Sequence, residues 1–389
     1  MVQLNSYFKE LKREYIFPII ERKLAELKQM ASAPHLVNLG VGDIALPLVP
    51  SVAQALTTAS QEMATEAGMR GYGPSEGYLF LRQAISKVAY PQENITPDEI
   101  FISEGTNCDA TNLQELFGPD CRIGIPDPTY PAYLDSAIIG GRSSHITLLP
   151  CQEESRFCPV PPKAHLDLIY LCTPNNPTGV AMNRLELQAW VDYAKQERAL
   201  LIVDNAYEAF VSSPDVPRSI YEIEGAQSVA IELRSFSKSA GFTGLRCAYA
   251  VVPKAILNGE LHALWMKRQS IKFNGVSYII QRAAEAALSP QGQVETRRQI
   301  EHYLSQGKIL SEGLEQLGFS CAGGIDAPYI WWKVPAGLTS WEFFDKILTT
   351  CHLLSIPGRG FGHHGEGFIR LSTFTSEAHL ALERLCALK

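Results

Sequence analysis

Between residues 100 and 252 the chain repeats one pattern, a short unbroken apolar run followed by a stretch with helical spacing. The runs are Ile100–Ser103, Arg122–Ile125, Leu166–Cys172, Ala199–Asp204, Ser228–Leu233 and Cys247–Val252. Runs this short and this uniformly apolar suit strands covered on both faces, and their alternation with helices implies a mostly parallel sheet. The expected fold class is therefore α/β, with a mostly parallel central sheet in a large domain. Ligands of such sheets bind beyond the carboxyl ends of the strands.

The unusual residues fall at those ends. Ser103-Glu-Gly-Thr-Asn107 follows the first run and Pro126-Asp-Pro-Thr-Tyr130 the second. Thr173-Pro-Asn-Asn-Pro-Thr-Gly179 follows the third, Asp204-Asn-Ala-Tyr207 ends the fourth, and Arg234-Ser-Phe-Ser-Lys238 ends the fifth. Five such loops on one edge predict one site.

The rest of the chain frames that unit. Residues 7–30 read as an amphipathic helix, and 50–66 and 78–89 as two more. After about residue 285 the pattern changes to a long charged helix (292–317) and strands at 319–323, 328–334, 353–356 and 367–372, with helices at 340–350 and 376–387. This predicts a smaller α+β domain. The expected divisions are 1–48 (N-terminal arm and part of the small domain), 49–285 (large domain) and 286–389 (small C-terminal domain).

Composition excludes several classes. With 46% hydrophobic and 19% charged residues the chain is globular, not disordered. A net charge of −7 leaves no basic footprint for nucleic acid. No apolar run reaches the ~18 residues of a membrane helix, and the N-terminus lacks the apolar core of a signal peptide. The nine cysteines are scattered without a CxxC pair, which suits reduced thiols in the cytoplasm. Gly360-Phe-Gly-His-His-Gly365 matches GxGxxG, but a strand pattern follows it, so no dinucleotide site is expected. His363 and His364 have no companions at metal-ligand spacing, so no metal is expected either.

Lys238 stands among Ser235, Ser237, glycines and Arg246. An isolated lysine is usually a surface residue. Two hydroxyls, a glycine-rich turn and an arginine beside an amine make an anion site, which is what a phosphorylated aldehyde cofactor requires; the lysine would form a Schiff base with it. Asp204 either caps a following helix or pairs with a protonated pyridine nitrogen. Tyr207 is either core filler or a hydrogen-bond partner of the cofactor's ring oxygen. Asn176 sits in a turn that any protein could hold, yet after a buried strand it can reach a ring oxygen and a carboxylate. Gly105, Thr106 and Asn107 suit phosphate at a helix N-terminus or a plain strand–helix turn. Tyr130 could stack on a planar ring. Arg370, in an apolar strand pattern, needs a partner if buried, either a structural anion or a substrate α-carboxylate.

Taken in order and at these separations, Asn176-Pro-x-Gly, Asp204-x-x-Tyr207, Ser235-x-Ser-Lys238 and Arg370 resemble the class I/II aminotransferases, enzymes of fold type I that depend on pyridoxal 5'-phosphate. Further pieces are similar to the LL-diaminopimelate aminotransferase group: Tyr15-Ile-Phe, Leu39-Gly-Val-Gly-Asp43, Arg70-Gly-Tyr72-Gly-Pro, Asp127-Pro-Thr-Tyr130-Pro-Ala-Tyr133, Phe273-Asn274-Gly-x-Ser277 and Pro357-Gly-x-Gly-Phe-Gly362. The resemblance implies transamination between LL-diaminopimelate and 2-oxoglutarate in a homodimer with shared sites. It implies catalytic roles for Lys238, Asp204 and Tyr207, and a phosphate cradle of Gly105, Thr106, Asn107, Ser235, Ser237, Arg246 and the partner chain's copy of residue 72, a tyrosine. It implies ring contacts from Tyr130 and Asn176, and substrate contacts from Arg370, Asn176, Tyr15 and Gly42, with Tyr72 and Asn274 reaching in from the partner chain. Ser75 and Asn107 depart from the group's pattern, which has an acid and a lysine there. That keeps open other amino donors (lysine, ornithine or an aromatic amino acid), and a β-lyase on the same scaffold.

Overall fold

The computed structural model describes residues 2–11, 16–28 and 35–388. Strand β1 (Val37–Asn38) is a two-residue piece near the start. Next come β2 (Ile100–Ser103), β3 (Ile123–Asp127), β4 (Ile146–Pro150), β5 (Leu168–Cys172), β6 (Leu200–Asp204), β7 (Ala230–Ser235) and β8 (Ala248–Val251). The last five are β9 (Cys321–Gly323), β10 (Tyr329–Lys333), β11 (Leu353–Leu354), β12 (Ile356–Pro357) and β13 (Phe368–Ser372).

Strands β2 to β8 form a seven-stranded sheet in the order β2-β8-β7-β6-β5-β3-β4. All of its pairings are parallel except those of β8, which is antiparallel to both neighbours. Two features were not legible as apolar runs. β4 lies at an edge, with Thr147 and Leu148 exposed, so its residues need not be uniformly apolar. β8 runs backwards because the 236–247 connection holds only the short helix Phe236–Ser239, and a parallel return would need a longer crossover.

Alternate residues of each central strand feed opposite cores, as period-two geometry demands. From β5, Ile169 and Leu171 pack with Leu201, Val203 and Trp190 on one face, while Leu168 and Tyr170 pack with Ile202, Ile231 and Trp265 on the other. A separate four-stranded sheet, β12-β13-β10-β9, carries its own core of Ile330, Trp332, Leu310, Leu314 and Phe343. Val37 and Leu39 join that core, because β1 pairs in parallel with β11.

The predicted 7–30 helix is instead a short 3-10 turn, Ser6–Glu10, and an α-helix, Ile16–Lys28. Tyr15 lies outside the described residues. Gly358–Phe361 and His363–Gly365 are 3-10 turns leading into β13, so the GxGxxG segment does not open a helix. Among the described residues no group of three or more His, Cys, Asp or Glu could hold a metal, and no helix is long and apolar enough to cross a membrane.

One ionic group is wholly enclosed beneath β7. Glu232 is 0% exposed and takes hydrogen bonds from Tyr90 Oη at 2.6 Å, Asn205 Nδ2 at 3.0 Å, Ile220 N at 3.0 Å and Arg234 Nε at 3.1 Å. Removing one member of a buried pair leaves the other charge without compensation. Glu232→Ala should therefore cost ~3–5 kcal/mol, read as a lower urea midpoint in equilibrium unfolding; an unchanged midpoint would refute this account of the network.

Candidate active site

The carboxyl ends of β2, β5, β6 and β7 open, with the 41–43 loop, into a cleft of about 400 Å³. Lys238, Asp204, Asn176, Tyr207, Arg246 and Arg370 all line it. These side chains come from four separate stretches of sequence, brought together by the edge of the seven-stranded sheet and by β13 of the four-stranded one.

Lys238 sits on the Phe236–Ser239 turn, whose cap is Ser235; the Ser237 amide donates to Ser235 Oγ at 3.0 Å. Its Nζ donates to the Gly42 carbonyl at 2.5 Å and stands 5.4 Å from the centre of the Phe374 ring. Burial lowers the amine to about 8, Arg370 and Arg246 push the same way, and Asp43 opposes them.

Asp204 ends β6, buried. Tyr133 Oη donates to its Oδ2 at 2.6 Å and the Ala206 amide to its Oδ1 at 3.2 Å. Burial nevertheless raises the carboxyl to about 6, with those two hydrogen bonds pulling it back down. No cation acts on it among the described residues.

Arg370, in β13, is 1% exposed. Its Nη1 donates to Asn176 Oδ1 at 2.6 Å and its Nη2 to the Gly40 carbonyl at 2.7 Å, while Nε is buried without a partner. The guanidinium lies between the Tyr329 and Phe361 rings, 4.5 and 4.9 Å from their centres. Among the described residues no carboxylate faces it, so it is a caged cation with an unmet donor, which suits an incoming anion.

A second anion corner lies across the cleft. Gly105 precedes the Thr106–Asn112 helix, and a Cβ at Gly105 would fall 2.4 Å from Arg246 Nη2. Thr106, Asn107, Ser235 and Ser237 line the same corner. Arg246 adopts φ 63°, a left-handed conformation rare outside glycine, and its Nη1 donates to the Thr243 carbonyl at 3.1 Å. Tyr130 completes the wall, edge-on to Tyr133 with ring centres 5.8 Å apart.

Two expected substrate residues are assigned to a partner chain's cleft. Tyr72 is 93% exposed and Asn274 is exposed, and neither lines the cleft of its own chain. Other residues do line it without having been given a role: Tyr133 and Asp43, which stood only as pieces of the family pattern, and Tyr329. Tyr329 stands among aromatic neighbours in an apolar strand, and nothing local distinguishes Tyr133 from Tyr130 before the helix at Ala132–Ile139 is known.

The amine, the caged arginine and the chain-wide pattern meet in one family comparison. The profile of the family described as "Aminotransferase class I and II" matches residues 34–386. The chain belongs to that family. This aminotransferase is 44% identical to an LL-diaminopimelate aminotransferase of Prochlorococcus marinus (strain MIT 9515), with 99% of each chain covered. It is 45% identical to the same-named protein of strain MIT 9211, with 97% of each covered. The L,L-diaminopimelate aminotransferase structure from Chlamydomonas reinhardtii superposes with a TM-score of 0.95 at 39% identity, covering 100% of this chain and 98% of that one.

The environment of Lys238 makes a pH prediction for the cofactor-free aminotransferase. A cation whose value is lowered to about 8 is neutral, hence nucleophilic, above that pH. Imine formation at Lys238 with pyridoxal, trapped by borohydride and located by mass spectrometry, should rise up to pH ~8 and then level. Solvent lysines, near ~10.4, keep rising. A Lys238 profile that parallels theirs would contradict the effect of burial.

Proposed function

We propose that this transaminase uses pyridoxal 5'-phosphate to move the amino group of LL-diaminopimelate to 2-oxoglutarate, giving tetrahydrodipicolinate and glutamate. The likeness to curated LL-diaminopimelate aminotransferases over essentially the full length carries the substrate assignment.

The residues fit the cofactor. A buried carboxylate without a counter-charge, Asp204, suits a protonated ring nitrogen, and the Gly105–Arg246 corner suits a phosphate. When bound, the cofactor supplies an aldehyde that accepts the amino group and a cationic ring that spreads the electron pair released at the substrate's Cα. The protein supplies the rest. Lys238 carries the cofactor and, once freed, takes and returns the α-proton with an amine already near neutrality at pH 8. Asp204 holds the proton on the ring nitrogen. Tyr207 and Asn176 donate to the ring oxygen, and Tyr130 packs on the ring. Thr106, Asn107, Ser235, Ser237 and Arg246 hold the phosphate. Arg370 and Asn176 receive the substrate α-carboxylate, with Gly42 alongside.

The same reading makes the molecule a homodimer. Tyr72, 93% exposed, and the exposed Asn274 are free to enter a partner's cleft, Tyr72 toward the phosphate. The four-stranded sheet's own core, distinct from the two that flank the seven-stranded sheet, supports a large domain over 49–285 and a small one over 286–389 joined by 1–48.

One observation favours a second reading, the same transamination with another amino donor such as lysine, ornithine or an aromatic amino acid. Ser75 is uncharged and hydrogen-bonded to Ser270 at 3.3 Å, and the neighbouring Glu76 lies 3.7 Å from Arg82 of its own chain. A distal ammonium would find no free acid there.

Purified protein with LL-diaminopimelate and 2-oxoglutarate should form glutamate, and Lys238→Ala should lose about 10²–10⁴-fold or more. No glutamate from that pair, with turnover of another donor, would move the assignment to the second reading. A Lys238→Ala variant as active as its parent would reject the mechanism.

A further inference from the structure

Tyr329 has no part in the roles above, yet its side chain touches three of the groups that have one. It is 1% exposed, on β10. Across the β10–β13 pairing Trp331 faces Arg370 and Tyr329 faces Ser372, which makes Tyr329 the diagonal neighbour of Arg370 on one face. Its ring lies 4.5 Å from the guanidinium. Its hydroxyl is 2.9 Å from the Tyr207 hydroxyl. A Cβ added at Gly42 would fall 2.4 Å from the same hydroxyl, so Tyr329 also rests on the loop whose carbonyl takes Lys238 Nζ.

Core filling accounts for the ring and not for the oxygen. Burying a hydroxyl costs free energy unless it is paired, and phenylalanine would pack the same space without that cost. Among the described residues the one partner the oxygen meets is Tyr207 Oη. If Tyr329 donates in that bond, the Tyr207 hydrogen is left for an acceptor in the cleft. The backbone holds Tyr329 firmly for this: its carbonyl accepts the Gly324 amide at 2.7 Å.

We propose that Tyr329 is a positioning residue for the transamination: its hydroxyl orients the Tyr207 hydroxyl toward the cofactor's ring oxygen, and its ring face orients Arg370 toward the substrate α-carboxylate. This rests on the cofactor reading above. The two halves are separable, because the oxygen serves one and the ring the other.

The test uses the holoenzyme, with readouts besides turnover. Tyr329→Phe removes the oxygen alone. The pH midpoint of the bound cofactor's visible absorbance should rise by ~0.5 unit or more, because a weakened Tyr207 donor leaves more negative charge on the ring oxygen beside the protonated Lys238 nitrogen. The dissociation constant of glutarate, a carboxylate with no amino group to react, should stay within ~2-fold, since the ring remains under Arg370. Tyr329→Leu removes the ring, and glutarate binding should weaken ~3- to 30-fold.

A Tyr329→Phe midpoint equal to the parent's, or Tyr329→Leu binding glutarate as the parent does, overturns the proposal. If the Leu variant fails to take up cofactor, the Phe midpoint decides. A parent that binds no cofactor overturns both this inference and the reading beneath it, whereas a parent that transaminates beside an unshifted Tyr329→Phe overturns this inference alone.

Discussion

A carboxylate enclosed at the end of a central strand, with no cation beside it, is the constraint to which the rest of the site answers. Asp204 is placed by β6, which pairs in parallel with β5 and β7, so its position is set by main-chain hydrogen bonds rather than by its own side chain. Tyr133 and the Ala206 amide stabilise its charge only in part. Charges interact strongly where water is excluded, so a cationic ring nitrogen arriving there gains more than it would at a surface. The amine, the hydroxyls and the arginines line the same cleft, so the proposed cofactor ring would lie among them with one end at Asp204.

Much of this was legible because the central strands are covered on both faces. Ile100–Ser103 coincides with a strand in full, and the runs ending at Cys172 and Asp204 end where β5 and β6 do. The edge strand β4 escaped for the opposite reason, since solvent tolerates its polar and exposed positions. The direction of β8 was hidden because orientation depends on what connects the strands, not on their composition.

In the site, the residues that stood out were those whose chemistry is out of place in their local pattern. Arg370 is a charge within an apolar strand, Asp204 an acid closing an apolar run, and Lys238 an amine among hydroxyls and glycines. Tyr133 and Tyr329 were silent, because a tyrosine among aromatic or aliphatic neighbours looks like packing until its oxygen is seen to point at another polar group. The glycine-rich 358–365 segment illustrates the converse. It matched a nucleotide-binding spacing, yet its close contacts serve a join between the two sheets: Asp127 receives the His364 amide at 3.2 Å and faces its ring at 3.1 Å, and a Cβ at Gly362 would collide with the Asp127 carboxylate.

The reversed strand β8 has a mechanical consequence. Because β7 and β8 are immediate neighbours, the segment between them leaves the sheet and returns to it within one strand spacing, like a bridge with both abutments on the same bank. Lys238 and Arg246 both ride on that span, so one short connection delivers the amine and the guanidinium to the same cleft.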